Sequence, residues 1–173
     1  MYQGALSQGR GVRLLLDAFQ ERQNDPAVIV FMGYGELEAE VRELADRHTN
    51  IFYFPAVAPD VVLEFTASAD AGIHVIQNTC LNHFYCMPNK LFEYAMAGLP
   101  VVVSNMKDMS QFVAQHNMGA VVKELSPAFI NQAIDELLAG DLLKMSKNAR
   151  KIVENSFDEE IVINEVLLTL DSL

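Results

Sequence analysis

A lysine and a glutamate three residues apart mark the segment of the chain that is best suited to bind a charged ligand. Lys90 is the only Lys or Arg between Arg47 and Lys107, and Glu93 follows it near the predicted start of a helix. The amino terminus of a helix carries partial positive charge and free N–H groups, so it attracts anions. A lone cation there, in a chain of formal net charge -11, indicates a bound anion. Glu93 adds a carboxylate that can accept hydrogen bonds from neighbouring hydroxyl groups.

The elements that must position these residues are predicted to alternate between short strands and amphipathic helices. After a first strand that ends near Gly4, apolar runs predict strands at residues 27–32, 51–54, 71–76, 101–103 and 119–122. Helical spacing predicts helices at residues 12–19, 37–45, 60–65, 109–115, 126–138, 141–155 and 158–170. The alternation predicts an α/β fold, a Rossmann-like three-layer α/β/α sandwich with a six-stranded parallel sheet in the order 3-2-1-4-5-6. In that order the loops after strands one and four meet, which would bring Arg10 close to Lys90.

Composition favours one compact domain over residues 1–173 and excludes several classes of protein. Hydrophobic residues make up 51% of the chain, which favours a folded domain over a disordered one. The net charge argues against nucleic acid or an anionic membrane as a partner, since both require a basic surface. Cys80 and Cys86 have a spacing unlike common zinc sites and are expected to be free thiols in the cytoplasm. No apolar run approaches the length of a membrane span.

Four segments, taken in their order along the chain, resemble the motifs of one enzyme family. Tyr2–Gly11 resembles a phosphate loop, Phe31–Gly35 a Gly-x-Gly turn, and Ala67–Ile73 a small-residue Ala-Asp segment. Pro88–Ser104 resembles a proline-led helix with a glutamate, followed by an Ala-Gly turn and a Pro-Val-Val strand. Together they are similar to the retaining glycosyltransferases of family 4, also called group 1. The resemblance implies that the chain is one half of a GT-B fold.

The resemblance implies a site for a nucleotide diphosphate-sugar as donor substrate, with no cofactor and no metal. Arg10 and Lys90 would stabilise the charge of the leaving nucleoside diphosphate, while Glu93 would hold the ribose, and these three are the catalytic candidates. The implied donor-binding residues are Gly4, Ala5, Gly9, Gly33, Ala56, Val57, Pro88, Asn89, Lys90, Leu91 and Glu93. Asn89 is expected to cap its helix, with a hydrogen bond to the diphosphate as the alternative.

The resemblance also implies a longer enzyme, of which this chain is the C-terminal, donor-binding half. Strand one is expected to be short, since only Met1, Tyr2 and Gln3 precede Gly4. The N-terminal domain, which binds the acceptor in the family, is absent from residues 1–173 and is the expected partner. The chain alone is therefore expected to transfer no sugar and to expose an apolar patch where the other half docks. The whole enzyme would be cytoplasmic and peripheral to the inner membrane through the other half.

Two positions depart from the family pattern and leave other functions open. The family pairs its glutamate with a second one eight positions earlier, where this chain has Tyr85, and often has Arg where this chain has Ala5. A noncatalytic nucleotide-sugar sensor or scaffold would keep the fold and lose such residues. A nucleotide-sugar 2-epimerase half would share the fold, but it would need acidic and histidine groups whose signature this chain does not show.

Overall fold

The computed structural model describes residues 1–156, in which strands and helices alternate. The strands are β1 Tyr2–Ala5, β2 Ile29–Tyr34, β3 Ile51–Pro55, β4 Gly72–His74, β5 Val101–Ser104 and β6 Gly119–Val122. The helices are α1 Val12–Glu21, α2 Glu38–Arg47, α3 Val62–Thr66, α4 Leu81–Phe84, α5 Asn89–Met96, α6 Lys107–Gln115, α7 Pro127–Ala139 and α8 Leu142–Ser156. The helix predicted at residues 158–170 lies outside the described residues. Within the described range, no helix is long and apolar enough to cross a membrane.

The strands form two parallel sheets of three strands each rather than one six-stranded sheet. One sheet has the order β1-β2-β3 and the other the order β4-β5-β6, so the prediction of a single sheet with the order 3-2-1-4-5-6 is wrong. Strands β1 and β4 nevertheless lie side by side. The amide of Ile73 donates a hydrogen bond to the carbonyl oxygen of Met1 at 2.9 Å, and this bond joins the two sheets.

A buried tyrosine hydroxyl stands between β1 and β4 and interrupts their pairing. In a continuous parallel ladder, the amide of Gln3 would donate next to the carbonyl oxygen of Ile73. Instead, the Gln3 amide donates to Tyr94 Oη at 3.2 Å. The same hydroxyl lies 3.3 Å from the carbonyl oxygens of Ile73 and Met1 and can donate to either. The Tyr94 ring packs against Gly72, which has no side chain to obstruct it, and so the sheets are bridged through a side chain.

Strands β4 and β1 end at positions that differ from the sequence prediction in a way that affects the site. The apolar run to Ile76 predicted a longer fourth strand, but β4 ends at His74. The amide of Ile76 donates to Ser104 Oγ at 3.0 Å, so a side chain takes the place of a backbone acceptor. Strand β1 continues through Gly4 to Ala5, and Gly4 therefore lies inside the strand rather than in the turn after it.

The two faces of the sheets are covered by different helices, which gives the predicted three layers. In β5, Val102 packs in one hydrophobic cluster while Val101 and Val103 pack in the other, because alternate residues of a strand face opposite sides. The first cluster includes side chains of α1, α2 and α7, and the second includes side chains of α5, α6 and α8. The architecture is therefore an α/β/α sandwich.

Candidate functional site

The carboxyl ends of β1, β2 and β3 and the first turn of α5 surround a cavity of about 340 Å³, here called the strand-end cavity. Seven residues that the sequence assigned to the donor site line it: Gly4, Gly33, Ala56, Val57, Asn89, Lys90 and Glu93. Its other lining residues are Gln3, Met32, Tyr34, Pro59 and Val62. Parallel α/β sheets usually bind ligands beyond the carboxyl ends of their strands, so this cavity is the candidate site.

Lys90 lies in the strand-end cavity with its side chain half-buried. Its Nζ is 4.7 Å from the centre of the Tyr2 ring. A Cβ added at Gly4 would lie 2.5 Å from Lys90 Cε, and Gly4 has a φ of 107°, which other residues rarely adopt. Glycine at this position therefore provides the space that the lysine occupies. Burial, together with the nearby charge of Arg10, lowers the pKa of Lys90 to about 8.

Arg10 lies in the loop between β1 and α1, and it is not among the residues that line the strand-end cavity. A hydrogen bond from the amide of Gln77 to the carbonyl oxygen of Gly9, at 2.9 Å, joins this loop to the loop after β4. The predicted meeting of the two loops is thus confirmed. Arg10 is close enough to Lys90 to contribute to the lowering of the lysine pKa.

Neither cation forms an ion pair in the part of the chain that the structure describes, although the charge of Glu93 partly opposes the lowering of the Lys90 pKa. The ion pairs formed among residues 1–156 use Arg13, Arg22, Arg42 and Arg47. Arg10 and Lys90 form no such pair, although both are half-buried. Two like charges held near each other repel, and a bound anion would relieve that repulsion. The site is therefore suited to an anionic ligand.

Helix α5 begins at Asn89, and Pro88 is its N-cap without a capping side chain. The expectation that Asn89 caps the helix is wrong, because Pro88 already has the extended conformation of a cap residue, with φ −77° and ψ 144°. Asn89 is instead the first helical residue, and it lines the strand-end cavity with an exposed side chain. The first amides of a helix have no intrahelical acceptor, so those of Asn89 and Lys90 can donate to an anion.

Glu93 is held by a hydrogen-bonded network that the sequence did not reveal. Gln3 Nε2 donates to Glu93 Oε2 at 2.6 Å, and Thr66 Oγ1 lies 2.7 Å from Gln3 Oε1. Gln3 is 2% exposed and Thr66 is fully buried, whereas Glu93 remains partly exposed at the cavity. The sequence offered one signal of this network, the polar residue Gln3 within a short strand. A buried amide side chain needs hydrogen-bond partners, so such a residue indicates polar neighbours.

Four residues that the sequence assigned to the donor site do not line the strand-end cavity. Ala5 is exposed at the end of β1, Gly9 lies in the following loop, and Pro88 is the cap of α5. Leu91 is fully buried in the second hydrophobic cluster, and its amide donates to the carbonyl oxygen of Pro88 at 3.0 Å. Leu91 therefore has a packing role in this structure.

His74 is a buried histidine at the end of β4, near both cations. It is 1% exposed, and neither ring nitrogen has a hydrogen-bond partner among residues 1–156. Burial lowers the pKa of His74 to about 3, and the charges of Lys90 and Arg10 contribute to that shift. The imidazole is therefore neutral at pH 7, and it adds no third positive charge to the site.

The loop between β4 and α5 contains α4 and the residue that departs from the family pattern. Tyr85 is the C-cap of α4 and is 49% exposed, and it is not among the residues that line the strand-end cavity. Lys107 Nζ lies 5.0 Å from the centre of its ring. Cys80 and Cys86 in the same loop are free thiols, as predicted. Residues 1–156 contain no group of three or more His, Cys, Asp or Glu side chains that could hold a metal ion.

A second cavity, of about 280 Å³, lies at the amino ends of the strands, among residues such as Val28, Ala71 and Leu138. Its walls are mostly apolar, and none of the described residues that line it is Lys or Arg. It therefore lacks the groups that would bind an anion, and the strand-end cavity is the better candidate for a functional site.

The sequence matches a family model described as glycosyl transferases group 1 over residues 1–140. The chain belongs to this family. The match runs from β1 through α7, so it includes the whole strand-end cavity. Comparison with curated protein sequences gave no match.

Solved structures of glycosyltransferases share the fold of this group 1 family member. WaaG, involved in lipopolysaccharide biosynthesis, is 22% identical, with a TM-score of 0.65 over 90% of this chain and 43% of its own. The C-terminal domain of LpcC from Francisella tularensis is 14% identical, with a TM-score of 0.69 over 91% of this chain and 86% of its own. Anabaena Alr3699/HepE in complex with UDP-glucose is 20% identical, with a TM-score of 0.70 over 99% of this chain and 49% of its own.

These likenesses show a Rossmann-like α/β fold of the GT-B glycosyltransferase type, as the sequence predicted. The chain spans less than half of the WaaG and HepE chains, but most of the LpcC C-terminal domain.

Proposed function

We propose that residues 1–173 form the donor-binding half of a retaining glycosyltransferase that uses a nucleotide diphosphate-sugar. The observation that carries the proposal is the pair formed by Arg10 and Lys90. These two half-buried cations have no carboxylate partner within residues 1–156, and they lie at the strand ends beside a helix amino terminus. A diphosphate matches this arrangement in charge. Glu93, one helical turn after Lys90, is then suited to the ribose.

In this proposal the two cations act on the leaving group. Transfer breaks the bond between the anomeric carbon and a diphosphate oxygen, so negative charge develops on the nucleoside diphosphate. Arg10, Lys90 and the first amides of α5 would stabilise that charge. Lys90 has a pKa of about 8, so it is mostly protonated at pH 7 and can do so. The acceptor, and the group that takes its proton, are assigned to an N-terminal domain.

The remaining lining residues suit the nucleoside. Gln3 occupies one oxygen of Glu93, which leaves Oε1 to accept from a ribose hydroxyl. Gly33 at the end of β2, and Ala56 and Val57 after β3, would then flank the base.

The comparisons support both the donor class and the missing half. Anabaena HepE was solved with UDP-glucose and with UDP, so UDP is the first nucleotide to test. The chain covers 49% of that protein and 86% of the LpcC C-terminal domain, which supports assignment as a C-terminal domain with an N-terminal partner. The proposal keeps the whole enzyme in the cytoplasm, peripheral to the inner membrane through that other half.

Isothermal titration of the chain with UDP, GDP and ADP tests the binding part of the proposal. At least one should bind, and no heat or thermal shift with any of the three would contradict it. Arg10→Met should weaken the diphosphate by about one to two decades, as expected for a lost charge-assisted contact. Arg47→Met is the matched control, since Arg47 is exposed and paired with Glu43, and it should leave binding unchanged.

An assay for nucleoside diphosphate release tests the assignment to one half. The chain alone should release none from any nucleotide-sugar, and turnover would contradict the assignment. A noncatalytic nucleotide-sugar sensor is the second candidate, favoured by Tyr85 at the position where the family has a glutamate. Release by the full-length protein in the presence of an acceptor would exclude the sensor.

A further inference from the structure

We propose that Gln3 is a positioning residue, which fixes the Glu93 carboxylate so that one of its oxygens faces the ribose of the donor. The inference rests on the proposed function, in which Glu93 binds that ribose. Gln3 acts through Glu93 rather than on the ligand, since its side-chain amide is already hydrogen-bonded to Glu93 and to Thr66.

The network brings together three elements that are distant in the sequence. Gln3 lies in β1, Thr66 in α3 and Glu93 in α5, and Gln3 and Glu93 both line the strand-end cavity. Gln3 Nε2 donates to Glu93 Oε2 at 2.6 Å, the distance of a strong, charge-assisted hydrogen bond. The amide nitrogen must face the carboxylate, because a carbonyl oxygen there would repel it. Gln3 Oε1 therefore faces Thr66.

Thr66 fixes the amide in this orientation. Its Oγ1 lies 2.7 Å from both Gln3 Oε1 and the carbonyl oxygen of Val62, and one hydroxyl proton can serve only one of them at a time. Donation to Gln3 satisfies a buried amide oxygen. Thr66 is fully buried and Gln3 is nearly so, so water does not compete for these positions.

A neutral partner suits a carboxylate that must bind hydroxyl groups. An arginine or lysine would cancel the negative charge of Glu93 and compete for both of its oxygens. The amide of Gln3 occupies Oε2 alone and leaves the charge in place, so Oε1 remains a strong acceptor at the cavity. The amide also has no proton to lose, so the orientation does not change with pH.

Packing alone would also give the Gln3 side chain a purpose, since the residue is buried at the edge of the site. The two roles differ in what they predict for ligands. If Gln3 only packs, its substitution should change the affinity for all ligands of the site by similar factors, or for none of them. A positioning role affects only ligands that carry ribose hydroxyls. The contrast between a nucleoside diphosphate and its 2′,3′-dideoxy counterpart therefore isolates the role of Gln3.

The test measures binding of UDP, GDP and ADP, of their 2′,3′-dideoxy counterparts, and of pyrophosphate. The ribose preference is defined as the ratio of the two dissociation constants for the nucleotide that binds best. Gln3→Met should reduce this preference about tenfold, and Thr66→Val about threefold, while pyrophosphate binding stays as in the parent. An unchanged preference in Gln3→Met, or an equal loss for pyrophosphate, would overturn the inference.

The matched control is Gln132→Met on α7. Gln132 Nε2 donates to Glu136 Oε1 at 2.8 Å, which is the same amide–carboxylate chemistry at an exposed position. This variant should keep the full ribose preference. Glu93→Gln separates this inference from the proposed function. If Glu93→Gln keeps the preference, Glu93 does not bind ribose and both fail. If it loses the preference while Gln3→Met keeps it, only the positioning role fails.

Gln3→Glu provides a second readout that a packing role would not produce. Two adjacent carboxylates share a proton, which raises their apparent pKa. At pH 5.5 the protonated pair would have the same charge and the same hydrogen bond as the native pair, so the ribose preference should recover. At pH 8 the pair repels and the preference should fall. Gln3→Met should show no such recovery, and a pH-independent preference in Gln3→Glu would contradict the positioning role.

Discussion

Arg10 and Lys90, here called the cation end of the site, form no ion pair within residues 1–156, whereas Glu93, one helical turn after Lys90 and here called the carboxylate end, accepts a hydrogen bond from the buried amide of Gln3. At the cation end, burial and then repulsion from Arg10 lower the pKa of Lys90. At the carboxylate end, Glu93 Oε2 is hydrogen-bonded to Gln3, which is hydrogen-bonded to Thr66, and Oε1 is left for a ligand. A bound diphosphate would therefore reduce the repulsion at the cation end, while the Glu93 carboxylate is already oriented before the ligand binds. We expect affinity to come mainly from the cations and ribose selectivity from Glu93.

The largest effect should follow from removal of both cations. Arg10→Met combined with Lys90→Met should weaken UDP by about two to four decades, because each lost charge-assisted contact removes roughly one to two. Uridine, which has no diphosphate, should bind nearly as it does to the parent. Titration calorimetry with both ligands checks this. The control Arg47→Met with Lys151→Met removes two exposed charges elsewhere, and it should leave UDP binding intact. An equal loss of affinity for uridine and for UDP would contradict the assignment of the diphosphate to the cation end and the ribose to the carboxylate end.

The next largest effect should come from the carboxylate end. Glu93→Gln should weaken uridine and UDP by similar factors, about one decade each, because the ribose is common to both. The same calorimetric pair measures this. The parallel substitution Glu43→Gln, at an exposed glutamate paired with Arg47, should change neither ligand. A loss confined to UDP would mean that Glu93 acts on the diphosphate end.

A pH titration should reveal Lys90 in the free protein. Its pKa of about 8 means that the charged fraction falls from about nine tenths at pH 7 to about one tenth at pH 9. An anion binds the charged form, so the affinity for UDP should fall about tenfold between pH 7 and pH 9. The fall should stop once the pH exceeds the higher pKa of Lys90 in the complex. Lys90→Met should abolish this dependence, and its persistence in that variant would assign it to another group.

Tyr94, whose hydroxyl accepts from the backbone amide of Gln3, should affect the stability of the fold rather than ligand binding. Tyr94→Phe leaves the Gln3 amide and the Ile73 carbonyl without their bridge, at a cost of about 1–3 kcal/mol in the free energy of unfolding. Tyr53→Phe is the control, since Tyr53 is partly exposed and donates to Gly33 at 3.2 Å, and it should cost less than Tyr94→Phe. Denaturant unfolding measures both. Parent-like stability in Tyr94→Phe would show that β1 and β4 pair directly once the hydroxyl is gone.

Local sequence patterns were enough to predict the six strands and the longer helices, and to place Lys90 at a helix start, but they did not predict α4. Apolar runs mark strands, and the short segment around Lys90 lies within one turn of a helix start, so its position depends on few residues. The loop of Arg10 was located because parallel sheets bring the loops after strands one and four together. These predictions needed no knowledge of side chains that meet from distant parts of the chain.

Contacts between distant residues account for what the sequence could not predict. Gln3 and Glu93 are 90 positions apart, and no local pattern joins them. The hydroxyl of Tyr94 lies between the two sheets and takes the place of backbone pairing there. Predicting strands from apolar runs does not reveal such a side chain. Gly33 was assigned to nucleotide contact, and the structure adds a packing reason, because a Cβ there would collide with the carbonyl of Gly4.

A crystal structure of the chain bound to UDP, or to whichever of UDP, GDP and ADP binds best, tests the central claim most directly. The account predicts that Lys90 Nζ and the Arg10 guanidinium lie within hydrogen-bonding distance of diphosphate oxygens. It also predicts that Glu93 Oε1 accepts from a ribose hydroxyl while Oε2 keeps its bond to Gln3. A nucleotide bound outside the strand-end cavity, or one whose diphosphate is turned away from both cations, would contradict it.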